Sequence, residues 1–337
     1  MTLIFMEGFD RSTNIDHYRL HSRNRISINT GVRRYGVGSL YGYSLMAQPI
    51  VARFDLVSNY TELVVGFAFR PISRTGGYIF DFLNSSLGKN VSFGVDSNGY
   101  ARIYTPAGTY TSSFFVQLHV WHYVEIKARF HNTSGYFILR INGQQVLSQS
   151  NINTAASSGI LSSRYISFIS TATSEEYYID DLYVCSTSGT KNNDFLGDVR
   201  VATLFPTRNG TYNDFSVVGA SSAFQAVNET NPNHDTNYVT ASGIGMMQSF
   251  GFTKPIPSGA VFGVQPIIFA RKDDAGSRFM QILSKLGSDE HYGSTISVSD
   301  SYVHYYGSIF ETRIASTEDW SLSDLDSVEV GVKIVET

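Results

Sequence analysis

Apolar and polar residues alternate with a period of two in several stretches of the chain. Val124, Ile126, Ala128 and Phe130 alternate with Glu125, Lys127 and Arg129. Leu63, Val65, Phe67 and Phe69 form a second set, and Val328, Val330, Val332 and Ile334 a third. A period of two with one apolar face predicts strands that pack on a core from one side. Turn residues separate the runs. Asn142-Gly143 stands between residues 137–141 and 144–147, the pattern of a tight hairpin, and Asn98-Gly99 stands in the same way between 91–95 and 100–104. Many short strands punctuated like this predict sandwiches or barrels. Helical signals are scarce. Ser321 followed by Asp324 resembles a capping box with an acid in the Glu/Gln position, which predicts one short helix over 321–327 feeding the last strand. Residues 279–286 fit either a helix or a strand by their apolar spacing, and strand-like flanks favour a strand.

Composition agrees with an all-β reading. The 337 residues include 23 Phe, 21 Tyr and 29 Gly, and only 16% are charged, against roughly a quarter in ordinary globular chains. That excludes a disordered chain, a helical bundle and a coiled coil. One cysteine, Cys185, excludes a disulfide scaffold and is expected as a buried thiol. No stretch reaches the ~20 apolar residues of a membrane helix, and the first ten residues do not form a signal-peptide core. From these the expectation is a protein made in a cytoplasm with no membrane partner, and the net charge of −4 argues against a nucleic-acid partner. The charge is uneven: residues 1–190 carry 15 basic and 12 acidic side chains, a net of +3, and residues 191–337 carry 10 and 17, a net of −7. The polar stretch 188–198 between them reads as a linker, giving a first domain over 1–187 and a second over 199–337.

Candidate chemistry is thin. Glycoside hydrolysis needs two carboxyls across the scissile bond. Asp180 and Asp181 are neighbours, so on a regular strand they would face opposite sides and could not act as a pair. Asp96 and Asn98, and Asp273 and Asp274, offer oxygen ligands on turns, which makes Ca2+ a candidate ion, although neither has the spacing of a calcium loop. His17 with His21, and His119 with His122, lack the partners of a zinc site. No nucleophile elbow or phosphate loop occurs. The reading therefore names no catalytic, cofactor-binding or metal-ligating residue. It does single out a basic stretch, Arg19, Arg23, Arg25, Arg33 and Arg34, as a candidate docking surface, because Arg beside Tyr favours interfaces.

The first half resembles the concanavalin A-like, laminin-G-like jelly roll. The resemblance is carried by Glu7-Gly8-Phe9-Asp10, the glycine-rich 30–40, Trp121 through Lys127, Phe137 through Gly143, and Tyr178 through Val184. The second half resembles a C-terminal module of tailed-bacteriophage virion proteins. There it is carried by Phe195 through Val201, Leu204-Phe205-Pro206, Asp235 through Val239, Ala270 through Gly276, and Trp320 through Lys333. The two resemblances imply tandem jelly-roll-like sandwiches in a non-enzymatic virion structural protein, an accessory component decorating the capsid or attached to the tail. They imply other virion proteins as partners, an oligomer on the particle, and a virion location. The alternative they imply is a tail adhesin that recognises host surface polysaccharide.

Overall fold

The computed structural model describes residues 2–45, 48–170, 172–256 and 258–336. The chain divides into two compact units, residues 1–202 and 203–337. The first is built from β1 (Leu3–Glu7), β2 (Ser22–Asn24), β3 (Ile26–Asn29), β4 (Ser39–Tyr43), β5 (Ile50–Tyr60), β6 (Glu62–Pro71), β7 (Tyr78–Leu83), β8 (Lys89–Val95), β9 (Tyr100–Thr105), β10 (Gly108–Phe115), β11 (His122–Arg129), β12 (Gly135–Ile141), β13 (Gln144–Ile152), β14 (Ser163–Ser170) and β15 (Glu176–Ser186). These make two antiparallel sheets. Sheet A runs β13-β12-β11-β6-β15-β4-β3, with β1 also paired to β15, and sheet B runs β10-β9-β8-β7-β14-β5-β2. Each sheet joins consecutive strands to strands distant in sequence, β11-β6, β6-β15 and β15-β4 in sheet A and β7-β14, β14-β5 and β5-β2 in sheet B, the crossing connectivity of a jelly-roll sandwich.

The alternation explains the sandwich. Val124, Ile126 and Ala128 on β11 and Leu63, Val65, Phe67 and Phe69 on β6 all point into one core. Phe67 of sheet A meets Phe80, Phe93 and Phe168 of sheet B at ring-centroid distances of 5.3, 6.2 and 5.0 Å. Phenylalanine is thus concentrated between the sheets, where it joins them. The Asn142-Gly143 hairpin forms as its sequence predicts: both residues take positive φ, 53° and 78°, between β12 and β13. That is the left-handed pair a two-residue turn needs to follow strand twist.

The second unit is also all-β. Its main sheet orders the strands Arg208–Asn213, Met247–Gly251, Val328–Val335, Phe279–Leu286 and Asp289–Tyr292, with Ile296–Ser297 beside Phe279–Leu286. Two small sheets pair Ser216–Val218 with Tyr238–Thr240 and Ile267–Ala270 with Val303–Tyr306. The ambiguous 279–286 is a strand because it is paired on both edges. The short helix shrinks to one 3-10 turn, Asp324–Asp326. Its capping box is formed: Ser321 N–H and Oγ–H donate to Asp324 Oδ2, both at 2.8 Å, and Asp324 N–H donates back to Ser321 Oγ at 3.3 Å.

Candidate functional site

Each sheet of the first unit has an outer face, and the two faces differ. On sheet A the outer side chains Tyr123, Glu125 and Tyr183 are 1–2% exposed, because residues 195–201 lie over them. Tyr183 OH donates to Glu125 Oε1 at 2.7 Å and accepts from Leu196 N–H at 3.0 Å, and Gly197 N–H donates to the same Glu125 oxygen at 2.8 Å. Arg140 stacks on Phe195 at 4.0 Å. Gly66 is required beneath this layer, since a Cβ there would stand 2.1 Å from the Tyr183 ring. The stretch 188–198, expected as a linker, is therefore hydrogen-bonded along the first unit.

Sheet B carries a continuous polar row across its outer face. Ser22 on β2 is paired with Arg53 on β5, Arg53 with Ser167 on β14, and Ser167 with Asp81 on β7. Asp81 is paired with Ser92 on β8, Ser92 with Tyr104 on β9, and Tyr104 with Thr109 on β10. Directly paired residues share a face, so these seven side chains point the same way. At about 4.8 Å per interstrand step the row is ~29 Å long. The opposite positions, Phe54, Phe168, Phe80, Phe82 and Phe93, fill the core and hold the row in place.

The centre of the row is polar and buried. Asp81, Ser92 and Ser167 are each 0% exposed. Among the described residues neither Asp81 carboxylate oxygen, nor Ser92 Oγ, Ser167 Oγ or Arg53 Nε, makes a well-aligned hydrogen bond. The Lys89 ammonium stands 3.0 Å from Asp81 Oδ2 and is itself 43% exposed. Burial pushes the Asp81 carboxyl above the usual carboxylate range, and Lys89, Ser92 and Arg53 offset only part of that. The Asp81 carboxyl is thus partnered within the protein by Lys89 and Ser92, and none of the three central groups has exposed surface. Aromatic rings flank the row. Tyr78 and Tyr104 are 5.8 Å apart with Arg102 over Tyr78 at 4.5 Å, and His21 meets Tyr165 at 4.9 Å. Such a face can present hydroxyls and cations to an elongated polar ligand while rings supply flat contact surfaces. Its other carboxyl, Asp55, is held by a two-pronged bond from Arg164, so among the described residues the face offers no free carboxyl pair of the kind glycoside hydrolysis uses.

The basic stretch is distributed among local partners. Arg19 stacks on Phe5 at 5.3 Å, and Arg23 is ion-paired with Asp16. Arg25 donates to Tyr43 O at 3.2 Å, and Arg33 donates to Thr30 O. Arg34, with its side chain 11% exposed, is paired with Asp181 at 3.0 Å and with Asp198. Asp180 and Asp181 do not face apart as regular-strand alternation predicts. A bulge interrupts the pairing between Asp180 and Tyr183, and Asp181 takes φ 50°. Both carboxyls consequently meet Arg34: its backbone N–H donates to Asp180 at 3.0 Å and its guanidinium to Asp181. Both aspartates are 1% exposed, and burial raises both pKa values, with the Asp181 charge raising that of Asp180 further. Asp96 caps its turn by accepting from Tyr100 N–H at 2.8 Å, and Asp274 pairs with Arg278. Among the described residues no group of three or more His, Cys, Asp or Glu is arranged to hold a metal ion. His122 is buried and its Nε2 lies 3.1 Å from Gln117 O, while His17 Nδ1 lies 2.9 Å from Ser12 Oγ. Cys185 is buried, as expected.

The row escapes sequence inspection because its members lie on seven strands. The signal available was Asp81 itself, a lone acid in the apolar run Tyr-Ile-Phe-Asp-Phe-Leu.

No protein-family model and no curated protein sequence matches the chain. Solved structures do resemble it. An endo-β-1,4-glucuronan lyase from the fungus Trichoderma reesei is 16% identical, with a TM-score of 0.44, covering 55% of this chain and 96% of its own. A sialidase is 12% identical with a TM-score of 0.42, covering 55% and 19%, and a pentraxin from Limulus polyphemus is 17% identical with a TM-score of 0.29, covering 37% and 64%. An alginate lyase is 16% identical with a TM-score of 0.33, covering 48% and 83%. These are jelly-roll and sandwich proteins, in keeping with a concanavalin-like fold. The expectation of a non-enzymatic bacteriophage virion component, on capsid or tail, is corrected: the neighbours include lyases and sialidases, and none of those cited is a virion protein. The expectation that the chain is not an enzyme falls with it. At these identities and TM-scores the likeness assigns no family, and the fold class rests on the chain's own strands, which make it all-β with antiparallel sheets of β-sandwich type.

Proposed function

We propose that the chain is a carbohydrate-active protein whose first unit holds a polysaccharide along the outer face of sheet B. The observation that carries this reading is the polar row itself. Its central groups, Asp81, Ser92 and Ser167, have no exposed surface, and Lys89 is paired with Asp81 at 3.0 Å, so a ligand on this face meets the half-buried Arg53, Tyr78 and Tyr104 and the exposed Lys89 and Thr109. A ligand dense in hydroxyls suits such a row of polar side chains, and the tyrosine rings suit the flat faces of sugar rings. A length of ~29 Å fits a chain of sugars better than a single one. A peptide strand would instead use the free backbone of a sheet edge, whereas these contacts come from side chains in mid-sheet.

The test is titration calorimetry of the whole protein against a panel of soluble neutral and acidic polysaccharides, alongside Tyr104→Ala. Tyr104 is a half-buried ring of the row, and alanine removes its flat surface. The expected result is binding by the parent protein and a loss of about tenfold in the variant, the worth of one ring contact. Binding that is indifferent to Tyr104→Ala, or absent from the whole panel, refutes the reading. Sizing the polysaccharide after incubation then shows whether the bound chain is also cleaved.

A further inference from the structure

The outer face of sheet A divides in two. Over Tyr123, Glu125 and Tyr183 it is closed by residues 195–201. Toward its β3 edge it carries an open cleft of about 190 Å³, lined by Arg25, Ile26, Ser27, Tyr41 and Tyr43. Strand register builds this cleft. Ser27 is paired with Tyr41, Tyr41 with Tyr178 and Tyr178 with Arg70, so the four share the outer face, while Leu40, Tyr177 and Ile179 beside them fill the core. Tyr43, two residues along from Tyr41, stands on the same face opposite Glu176. The Tyr41 ring is held in place: it packs on Tyr178 at 5.0 Å, its OH donates to Glu176 Oε1 at 2.9 Å, and Arg70 lies over Tyr178 at 5.8 Å.

Arg25 is the one charged residue among those lining the cleft. It is half-buried and takes φ 55°, a left-handed conformation uncommon for a side chain of its size, at the step from β2 to β3. Its Nε donates to Tyr43 O at 3.2 Å, and its guanidinium stands 5.5 Å from the Tyr43 ring centroid. Among the described residues its two terminal nitrogens make no hydrogen bond or ion pair, and they are not sealed from solvent. In this it differs from Arg23, paired with Asp16, and from Arg34, paired with Asp181 and Asp198. Ser27 is exposed beside it, and neither the Ser27 hydroxyl nor that of Tyr43 has a hydrogen-bond partner among the described residues. A guanidinium offers a planar fork that matches a carboxylate. The volume is below the ~300–1,000 Å³ of pockets for drug-sized ligands, so the cleft has room for about one ring.

We infer that this cleft binds a ring-borne carboxylate, an aromatic or sugar acid of a single ring, with the terminal nitrogens of Arg25 receiving the carboxylate and Tyr41 and Tyr43 flanking the ring. The site lies on the sheet opposite the polar row and does not rest on the saccharide reading of sheet B. Ser27 and the Tyr43 hydroxyl add donors at the rim, so the cleft reads charge and shape together.

The experiment titrates benzoate and glucuronate into the isotope-labelled full chain, each beside its neutral amide, benzamide or glucuronamide, and beside inorganic sulfate. Backbone amide shifts report both affinity and place. The variants are Arg25→Asn, which removes the charge with a residue that tolerates positive φ, and Arg278→Gln, which removes an exposed cation from the second unit. Circular dichroism checks their folding. Support is binding of at least one acid with shifts centred on residues 25–27 and 41–43, roughly ten- to a hundredfold weaker for its amide and for Arg25→Asn, and unchanged in Arg278→Gln. The tighter of benzoate and glucuronate tells an aromatic from a sugar acid. Acid and amide bound equally, sulfate bound as tightly as the better acid, binding untouched by Arg25→Asn, an equal loss in Arg278→Gln, or no binding of either acid each overturn the inference. Shifts centred on β7, β8 and β9 instead also overturn it, and leave the reading of sheet B standing. If Arg25→Asn does not fold, the comparison of acid with amide on the parent protein decides.

Discussion

Replacing Tyr183 with Phe removes one oxygen from the layer that seals the outer face of sheet A. That oxygen has two bonds: it donates to the Glu125 carboxylate at 2.7 Å and accepts from Leu196 N–H at 3.0 Å. A hydrogen bond to a charged acceptor contributes about 1.5–3 kcal/mol, and an amide left without its acceptor costs roughly another 1 kcal/mol. The ring itself remains, packed over Gly66, so no cavity term is added. The expected loss is about 2–4 kcal/mol, read as a lower urea midpoint for the first unit with an unchanged slope. Hydrogen exchange gives a second readout: the Leu196 and Gly197 amides should exchange faster while those of β6 and β11 do not. A change below about 0.5 kcal/mol, together with unaltered exchange at 196 and 197, would refute the idea that this bond pair holds residues 195–201 to the sheet.

Further outcomes follow from the same geometry. Gly143→Ala should cost about 1–2 kcal/mol, because φ 78° is a left-handed conformation that a Cβ disfavours, and thermal melting of the variant checks it. Phe67→Ala should cost about 3–5 kcal/mol in denaturant, since it empties the junction of Phe80, Phe93 and Phe168. Burial raises the Asp180 pKa in the folded state, so the native chain holds its proton more tightly than the unfolded chain. Stability that is complete at low pH is then lost as pH rises from the ordinary value near 3.8 through the raised folded value. Asp180→Asn should flatten that fall in a pH series of melting temperatures, and an unchanged slope would count against the assignment.

The strands were legible wherever one face is apolar and the other polar, as on β11, where Glu125, Lys127 and Arg129 separate the core residues. The tight turn at Asn142-Gly143 and the Ser321–Asp324 box were legible because a local rule governs each. Asp180 and Asp181 defeated the alternation rule because a bulge inserts between Asp180 and Tyr183. The row on sheet B was beyond reach for a different reason. Ser22, Arg53, Asp81, Ser92, Tyr104, Thr109 and Ser167 acquire a common face only through the register of six strand pairings, three of them between strands distant in sequence. No single window of sequence contains that register. The same limit hid the cover on sheet A, since the polar stretch 188–198 looks like a spacer until its bonds to Glu125 and Tyr183 are seen.

That cover decides what can be exchanged as a module. The first unit runs to Ala202, past the apolar strand at which composition would cut it. A fragment ending at Ser186 would leave Glu125 and Tyr183 bonded only to each other, with their amide partners gone and a sealed face turned to water. In a chimaera, the seam that preserves the donor fold is therefore 202/203, and the fifteen residues from 188 travel with the sandwich they cover.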